Sequence, residues 1–501
     1  MKSSAITAKI NAGTATGGVL VAVTILTAIV HYKQVFGYLP REVAGVWLLF
    51  WSFGSYLAFF DLGMSPTLSR EIAFLSAAPG HASSAGASND LIATCLRIYL
   101  AVAAIVLGAA LLAGSLFLPT LNLASLPIRD ALIAWALFAT GACVNLVGNV
   151  SYAMLTGSGQ VATERLTRAT TMVIWLGLSA SALVFGYGLI GLAAAWLAHA
   201  CISRTIAAGA ARAFVPHLRL HGGAWQATTA RRLALPSGQW ALTQLGALMI
   251  LQTDNLLIAW NLGPAAIPSY EAAAKVVMAM GTIALLRTNA STPYYSRAAV
   301  TGDKDALREV LYRNVRQGLL VMAAATAFLG FFGPDLFRLW LGPGNFVGYP
   351  VLLTLLAMMT LEIHHVGHAT LTMATGRIPF VRAALTAGVL NLVFSYVLLQ
   401  WLGLLGVALG TLLAQIATNN WFAPYVTLKV VGVRPWDYLR AIVPRYAATL
   451  LCFLAVQGAT AWSCRDQESW FRVLAGGGAA VILYWLAARS AAAAPLGWRC
   501  P

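Results

Sequence analysis

VAGVWLLFWSFGSYLAFFDLGMSPTLSREIA, residues Val43–Ala73, sets the reading of the whole chain. Val43–Phe60 carry no charged residue; then come Asp61, a glycine corner and the polar run S-P-T-L-S-R. At about 1.5 Å of rise per residue, roughly 20 apolar residues cross a bilayer core. Residues 43–62 therefore read as a membrane-spanning helix with Asp61 at its inner end.

Outward from this stretch, the same alternation of long apolar runs with polar or Gly/Pro breaks recurs along the chain. It predicts fourteen spans, at about 11–31, 43–62, 91–118, 129–155, 166–186, 189–213, 235–262, 268–292, 317–341, 349–374, 379–401, 403–428, 442–462 and 470–488. Composition agrees: of 501 residues, 59% are hydrophobic and 10% charged, where a soluble domain carries roughly 25% charged. Mean hydropathy is +0.75. So few charges cannot cover a soluble surface. A cytosolic enzyme, a disordered chain and a disulfide-rich secreted domain are excluded, and the chain reads as an all-α, polytopic membrane protein. The longest polar interruption, about residues 63–90, is too short to fold as a catalytic domain. Six cysteines (Cys95, Cys143, Cys201, Cys452, Cys464, Cys500) show no C-x-x-C spacing and read as buried membrane thiols. No cleavage site follows the first apolar run, which reads as a retained helix.

Lys and Arg number 32 against 16 Asp and Glu. With the N-terminus placed in the cytoplasm and the spans alternating, 24 basic residues fall at or near the inner side, 7 fall outside, and Arg97 lies within the third span. That bias predicts cytoplasmic termini and an even number of spans. The positive excess is a topology signal first and an attraction to anionic lipid headgroups second; no nucleic-acid partner is expected.

Three short matches recur in one order. SPTLSR (Ser65–Arg70) resembles TPYYSR (Thr292–Arg297), MLTG (Met154–Gly157) resembles MATG (Met373–Gly376), and GLIGLAAAWLAHA (Gly188–Ala200) resembles GLLGVALGTLLAQ (Gly403–Gln415), at offsets of 227, 219 and 215. The drifting offset is what small deletions produce. It divides the chain into an N-lobe at 1–213 (spans 1–6), a cytoplasmic inter-lobe loop at 214–234, a C-lobe at 235–428 (spans 7–12), and spans 13–14 with the C-terminal tail at 429–501. Both halves begin on the same side, so the repeat is parallel, about an axis along the membrane normal, and a cleft between the halves is expected to take substrate near the midplane. Polar residues of span 1 (Asn11, Thr14, Thr16) and span 7 (Gln239, Gln244, Thr253, Asp254, Asn255) must face protein or water rather than lipid.

Val43–Ala73 also resembles the second helix, with its exit, of the bacterial polysaccharide-export flippases. TDNLLIAWNLGPAAIPSYEAAAKV (Thr253–Val276) is similar to their helix 7–8 hairpin. These are the O-antigen and related lipid-linked oligosaccharide flippases of the multidrug/oligosaccharidyl-lipid/polysaccharide exporter superfamily. The resemblance covers most of residues 1–430. It implies twelve core helices in a V, often with two more. It implies flipping of an undecaprenyl-pyrophosphate-linked glycan across the bacterial inner membrane by alternating access, for O-antigen, capsule or exopolysaccharide assembly. The partners implied are the lipid-linked glycan, membrane lipids, a polysaccharide polymerase and other assembly proteins. No cofactor is implied, and coupling to Na⁺, H⁺ or the membrane potential stays open. Lipid II flippases of the same superfamily use cavity cations, whereas span 1 here has no Arg.

A pyrophosphate needs cations. Arg97, Lys275 and Arg287 are the cationic cavity candidates, with Arg70 and Arg297 at matching repeat positions at the inner mouth. Snorkelling is the alternative for Arg97 and Arg287, and an i,i+4 pair with Glu271 is the alternative for Lys275. Asp254, next to Asn255, is an intramembrane carboxylate that could bind Na⁺ or H⁺ or pair with Lys275. Asp61 reads as a capping or interfacial group. In LEIHHVGHATL, His364, His365, His368 and Glu362 share one helical wedge and read as a cavity wall, with proton coupling as an alternative; the adjacent His364 and His365 diverge, against a metal site. A drug/cation antiporter of the same superfamily is the rival reading, and a multi-spanning transferase using the histidines is the second. The lead reading is not an enzyme.

Overall fold

The computed structural model describes residues 2–77, 81–220, 222–376 and 379–493, and every long element among them is an α-helix. In chain order these are α1 (Lys2–Tyr38), α2 (Arg41–Phe59), α3 (Met64–Ala77), α4 (His81–Phe117), α5 (Ile128–Gly157), α6 (Val161–Val184), α7 (Gly188–Phe214), α8 (Ala227–Leu262), α9 (Ile267–Ala290), α10 (Thr292–Thr301), α11 (Lys304–Leu341), α12 (Tyr349–Ala374), α13 (Val381–Leu402), α14 (Leu404–Ala417), α15 (Asn419–Val431), α16 (Pro435–Ser463) and α17 (Ser469–Ala493). Twelve helices among the described residues are long and apolar enough to cross a membrane. The remaining two predicted spans are α8 and the α14–α15 pair, a single apolar run broken at Thr418 (φ −127°, ψ −80°). The chain is thus an all-helical, multi-pass membrane protein with about fourteen crossings. Arg377, Arg499 and Cys500 lie outside the described residues, as do the side chains of Asn11, Thr14, Gln239 and Gln244.

Two segments read as loops are helical. The interruption at 63–90 holds α3 and the first turns of α4. The chain turns sharply through Leu62 (φ 50°) and Gly63 (φ 70°), and Asp61 Oδ2 accepts the Ser65 N–H at 3.3 Å to start α3. Ala is the best helix former, and Ser, though weaker, is tolerated once a corner is supplied, which periodicity alone does not reveal. The second such helix, α10, carries the matching motif TPYYSR with proline in its first turn. Ser69 of the first motif and Ser296 of the second each donate to a backbone carbonyl near the end of a long helix, Ala153 O and Ala374 O, both at 3.2 Å.

By contact pattern the chain forms two compact units, Met1–Leu248 with Ala259–Ile267 and Met249–Ile258 with Pro268–Pro501. The first is filled by aromatic side chains from four helices. Trp47, Phe138, Trp175 and Trp196 pack with ring centroids 5.5–6.1 Å apart, and Trp47 Nε1 donates to His31 Nε2 of α1 at 3.0 Å. In the same unit the loop before α8 is clasped to α4. Asp90 accepts Ala224 N–H and Gln226 Nε2 at 2.7 Å each, and Asn89 Oδ1 accepts Arg219 N–H at 2.8 Å. This clasp shortens the predicted 214–234 loop, because α8 already begins at Ala227.

In the second unit, Tyr295, Leu311, Val315, Leu371, Val431 and Tyr438 form a buried cluster joining α10, α11, α12, α15 and α16. The last two helices pack on α11, where Gly476 admits Phe332 and Gln457 Nε2 donates to Gly476 O at 3.0 Å. Of the cysteines, Cys95 and Cys143 are buried, but Cys201 and Cys452 lie on exposed faces. An apolar run in a membrane protein therefore does not imply burial in protein.

Candidate functional site

A buried polar cluster in the second unit centres on Asp254 of α8. A backbone argument places its other members. Gly403 turns the chain with φ 57°, and α14 then returns along α13 with Gly406 and Gly410 facing it. A Cβ at Gly406 would stand 2.2 Å from Leu398 O, and one at Gly410 2.4 Å from Ser395 N. Small residues four apart let the two backbones approach. That approach sets Thr411 and the Val407 carbonyl of α14 over Asn391 and Ser395 of α13.

Tyr270 of α9 donates to Asp254 Oδ2 at 2.6 Å. Thr411 Oγ1 lies 3.4 and 3.5 Å from the two Asp254 oxygens, 3.1 Å from Asn391 Oδ1 and 3.2 Å from Val407 O. Ser395 Oγ lies 2.8 Å from Asn391 Oδ1 and 3.2 Å from Val407 O. The Asn391 amide nitrogen is directed away, onto the Ile250 and Met249 carbonyls at 3.0 and 3.3 Å, which turns its oxygen into the cluster. Asn391 and Ser395 are fully buried and Thr411 nearly so.

The proton count is informative. Thr411 and Ser395 each bring one O–H, yet between them they face six oxygen contacts. The surplus of lone pairs in a buried place favours either a proton on Asp254 or a small hard cation held by carboxylate, amide, hydroxyl and carbonyl oxygens. Beside it, Asn255 Nδ2 donates to Glu271 Oε2 at 3.0 Å, and Glu271 Oε1 pairs with Lys275 Nζ at 3.1 Å. Lys275 therefore takes Glu271 rather than Asp254 as its partner.

The other sequence candidates are spread out. Arg97 is exposed on α4, with Nη2 donating to Gly223 O of the clasped loop at 3.4 Å. Arg287 donates to Gln317 Oε1 at 2.8 Å. Arg70 is 4.0 Å from Glu71, and Arg297 is exposed on α10. Glu362 is half-buried at mid-helix in α12. The histidines divide as their spacing requires. His364 Nε2 shares a hydrogen bond with Tyr438 OH of α16 at 2.9 Å, while His365 Nδ1 meets Asn419 O at the α14–α15 break, also at 2.9 Å. His368 bonds back to His364 O at 2.9 Å, and their rings stand 4.6 Å apart. No group of three or more His, Cys, Asp or Glu among the described residues is placed to hold a metal ion.

Sequence reasoning missed Tyr270, Asn391, Ser395 and Thr411. The signal was present as N-L-V-F-S, an Asn and a Ser one turn apart in an apolar run. It also missed Arg165 of α6, whose guanidinium lies against Gly17 of α1, and Arg168, paired with Glu164 and set 3.9 Å over the Tyr152 ring. A cation does adjoin the first span, although that span supplies none.

No protein-family model matches the sequence. A protein of Bacillus subtilis (strain 168) described as the uncharacterized membrane protein EpsK is 26% identical over 235 residues, 43% of this chain and 44% of that one. The match thus spans less than half the length of that relative. Among solved structures, the lipid II flippase MurJ in an inward closed conformation superposes with a TM-score of 0.70 at 12% identity, over 96% of this chain and 99% of that one. An inward-facing multidrug resistance MATE family transporter of the MOP superfamily gives 0.66 at 17%, over 81% and 94%. A MOP superfamily transporter from Pyrococcus furiosus gives 0.58 at 16%, over 84% and 96%. The fold is the one shared by these MOP-superfamily transporters and MurJ.

Proposed function

We propose that the protein is a flippase that moves an undecaprenyl-pyrophosphate-linked oligosaccharide across the bacterial inner membrane by alternating access, for surface polysaccharide assembly. The extent of the structural likeness carries this reading. The MurJ likeness leaves about 4% of this chain unmatched, less than the 29 residues of α16 or the 25 of α17, so it reaches into both C-terminal helices. The MATE likenesses cover 81–88% of this chain. A headgroup with about two negative charges faces a cost of about 2.5–3.5 kcal/mol per charge at mid-membrane even on lenient scales, so it needs water and cations along its path. Lys275, Arg287, Arg97 and Arg165 are the cations available for it, and the prenyl tail stays in lipid. The Asp254 cluster is the coupling element, loading Na⁺ or H⁺.

That same buried carboxylate favours the second reading, a drug/cation antiporter. A transferase is disfavoured because His364 and His365 are engaged by Tyr438 and Asn419 and His368 is fully buried. The test is deletion of the gene in its own host. Loss of surface glycan with lipid-linked oligosaccharide accumulating in the inner membrane supports the flippase; unchanged glycan with heightened sensitivity to cationic drugs supports the antiporter.

A further inference from the structure

Glycine and proline punctuate the turn between α11 and α12, G-P-G-N-F-V-G at Gly342–Gly348. Gly342 and Gly344 take φ 87° and 81°, a region that side chains avoid, and Asn345 Nδ2 donates to Leu341 O at 2.8 Å. The turn is thereby folded back on the end of α11. A cavity of about 210 Å³ lies between them, lined by Pro334, Asp335 and Arg338 of α11 and by Gly342, Gly344 and Phe346 of the turn. The Phe346 ring is fixed as one wall, its centroid 5.9 Å from that of Phe337 and 5.2 Å from that of Tyr349. Asp335 and Arg338 stand three apart on one helix, a spacing at which acid and base pair. Asp335 is instead taken by α17: its Oδ2 lies 3.3 Å from Arg472 Nη2, and its Oδ1 accepts Ser469 Oγ at 2.8 Å. That leaves Arg338, exposed at the cavity wall, without an ion pair among the described residues.

One cavity thus presents a carboxylate with spare lone pairs, an unpaired guanidinium and an aromatic face. With Arg472 the local charge is one carboxylate against two guanidiniums, which favours a single negative charge in the cavity. Its volume is below the roughly 300 Å³ at which sites for drug-sized ligands begin, so it takes one small ring or a headgroup. A bare phosphate would leave the Phe346 face unused, and a neutral sugar would leave Arg338 unused. A sugar ring bearing a carboxylate uses every group: its carboxylate meets the Arg338 fork, a hydroxyl donates to Asp335, and its C–H face lies on Phe346. We propose that this cavity binds one uronic acid residue of a glycan through Arg338, Asp335 and Phe346. The proposal rests on the reading of the protein as a flippase for lipid-linked glycan and adds an acidic sugar to its substrate. With the N-terminus in the cytoplasm, this end of α11 faces the outer side, where a flipped glycan arrives.

The test uses the full chain in mild detergent, with methyl glucuronide, methyl glucoside, inorganic phosphate and glycerophosphoethanolamine as ligands and saturation-transfer NMR as the readout. The wild type binds the glucuronide about tenfold more tightly than the glucoside, the worth of one charge-assisted contact. Neither phosphate nor glycerophosphoethanolamine displaces it at equal concentration. R338Q lowers glucuronide affinity to the glucoside level, R338K keeps part of the difference, and F346A weakens both sugars alike. R465Q, whose charge is already paired with Asp466, binds as the wild type does. If R338Q does not accumulate, the wild-type ranking of the four compounds decides by itself. Absence of glucuronide binding, a glucoside bound as tightly, or affinity undiminished in R338Q overturns the proposal. So does displacement by phosphate, which would mark a free-anion site, or by glycerophosphoethanolamine, which would mark a lipid headgroup site. None of these readouts involves transport, so a failure here leaves the flippase reading standing. Unchanged surface glycan on gene deletion would fail that reading while the measured binding stands.

Discussion

Thr411 Oγ1 stands 3.4 and 3.5 Å from the two carboxylate oxygens of Asp254, a residue 157 positions earlier in the chain. One hydroxyl proton cannot serve both oxygens together with Asn391 Oδ1 and Val407 O, and this excess of acceptors is what our proposal of a bound proton or small cation rests on.

The first prediction concerns that cation. Unfolding of the purified wild type in NaCl should occur several degrees above that in choline chloride at equal ionic strength. Asp254→Asn should abolish the difference, and Thr411→Val, which removes one oxygen, should reduce it. Identical midpoints in the two salts would assign the cluster to a proton instead, and transport by Asp254→Asn at the wild-type rate would remove it from coupling altogether.

Helix packing behind the cluster gives the second prediction. Gly406→Val places a side chain where even a Cβ would stand 2.2 Å from Leu398 O. The α13–α14 contact must open at a cost of about 1–3 kcal/mol or more. The variant should melt lower and show the salt response of Asp254→Asn. Gly108→Val, on an α4 face where a Cβ meets nothing within 4 Å, should do neither.

The helices were legible from the sequence because bilayer thickness sets a length that apolar runs must reach. What escaped was short or broken. α3 and α10 lack a membrane-length run, and Thr418 interrupts a stretch that hydropathy reads as continuous. At the site, Asp254 stood out because a carboxylate in an apolar run is costly. Asn391, Ser395 and Thr411 did not, because each alone is a tolerable polar residue in a membrane helix. Their meaning comes from Gly406 and Gly410, which bring α14 onto α13, a tertiary fact that no periodicity encodes. The Lys275–Glu271 pair, by contrast, follows from helical spacing and was readable as such.

The clasp on the loop before α8 is the third prediction. Asp90→Ala removes the acceptor for Ala224 N–H and Gln226 Nε2 and should cost about 1–3 kcal/mol locally. Amide hydrogen exchange over residues 219–226 should quicken well beyond that of α4 itself. Unchanged protection would mean that Asn89 and Thr94, whose Oγ1 accepts Gln226 N–H at 3.1 Å, hold the loop without it.

Topology is the fourth. Reporter fusions after Ser490 should be active only in the cytoplasm, as the 24-to-7 charge bias requires. Spans 1–6 should superpose on spans 7–12 by rotation about the membrane normal, as cryo-electron microscopy of the protein in a lipid nanodisc would read. Periplasmic activity, or halves related by an in-plane axis, would contradict the parallel repeat.

The most direct measurement of the central claim is transbilayer movement in vesicles. The purified protein is reconstituted with a labelled undecaprenyl-pyrophosphate oligosaccharide loaded in one leaflet, and the fraction reaching the other is followed by a membrane-impermeant glycosidase. Our account predicts movement that depends on the protein and falls at least tenfold in a Lys275→Ala/Arg287→Ala variant incorporated at equal density. Movement no faster than in protein-free vesicles, under an imposed Na⁺ gradient, proton gradient or membrane potential, would contradict it.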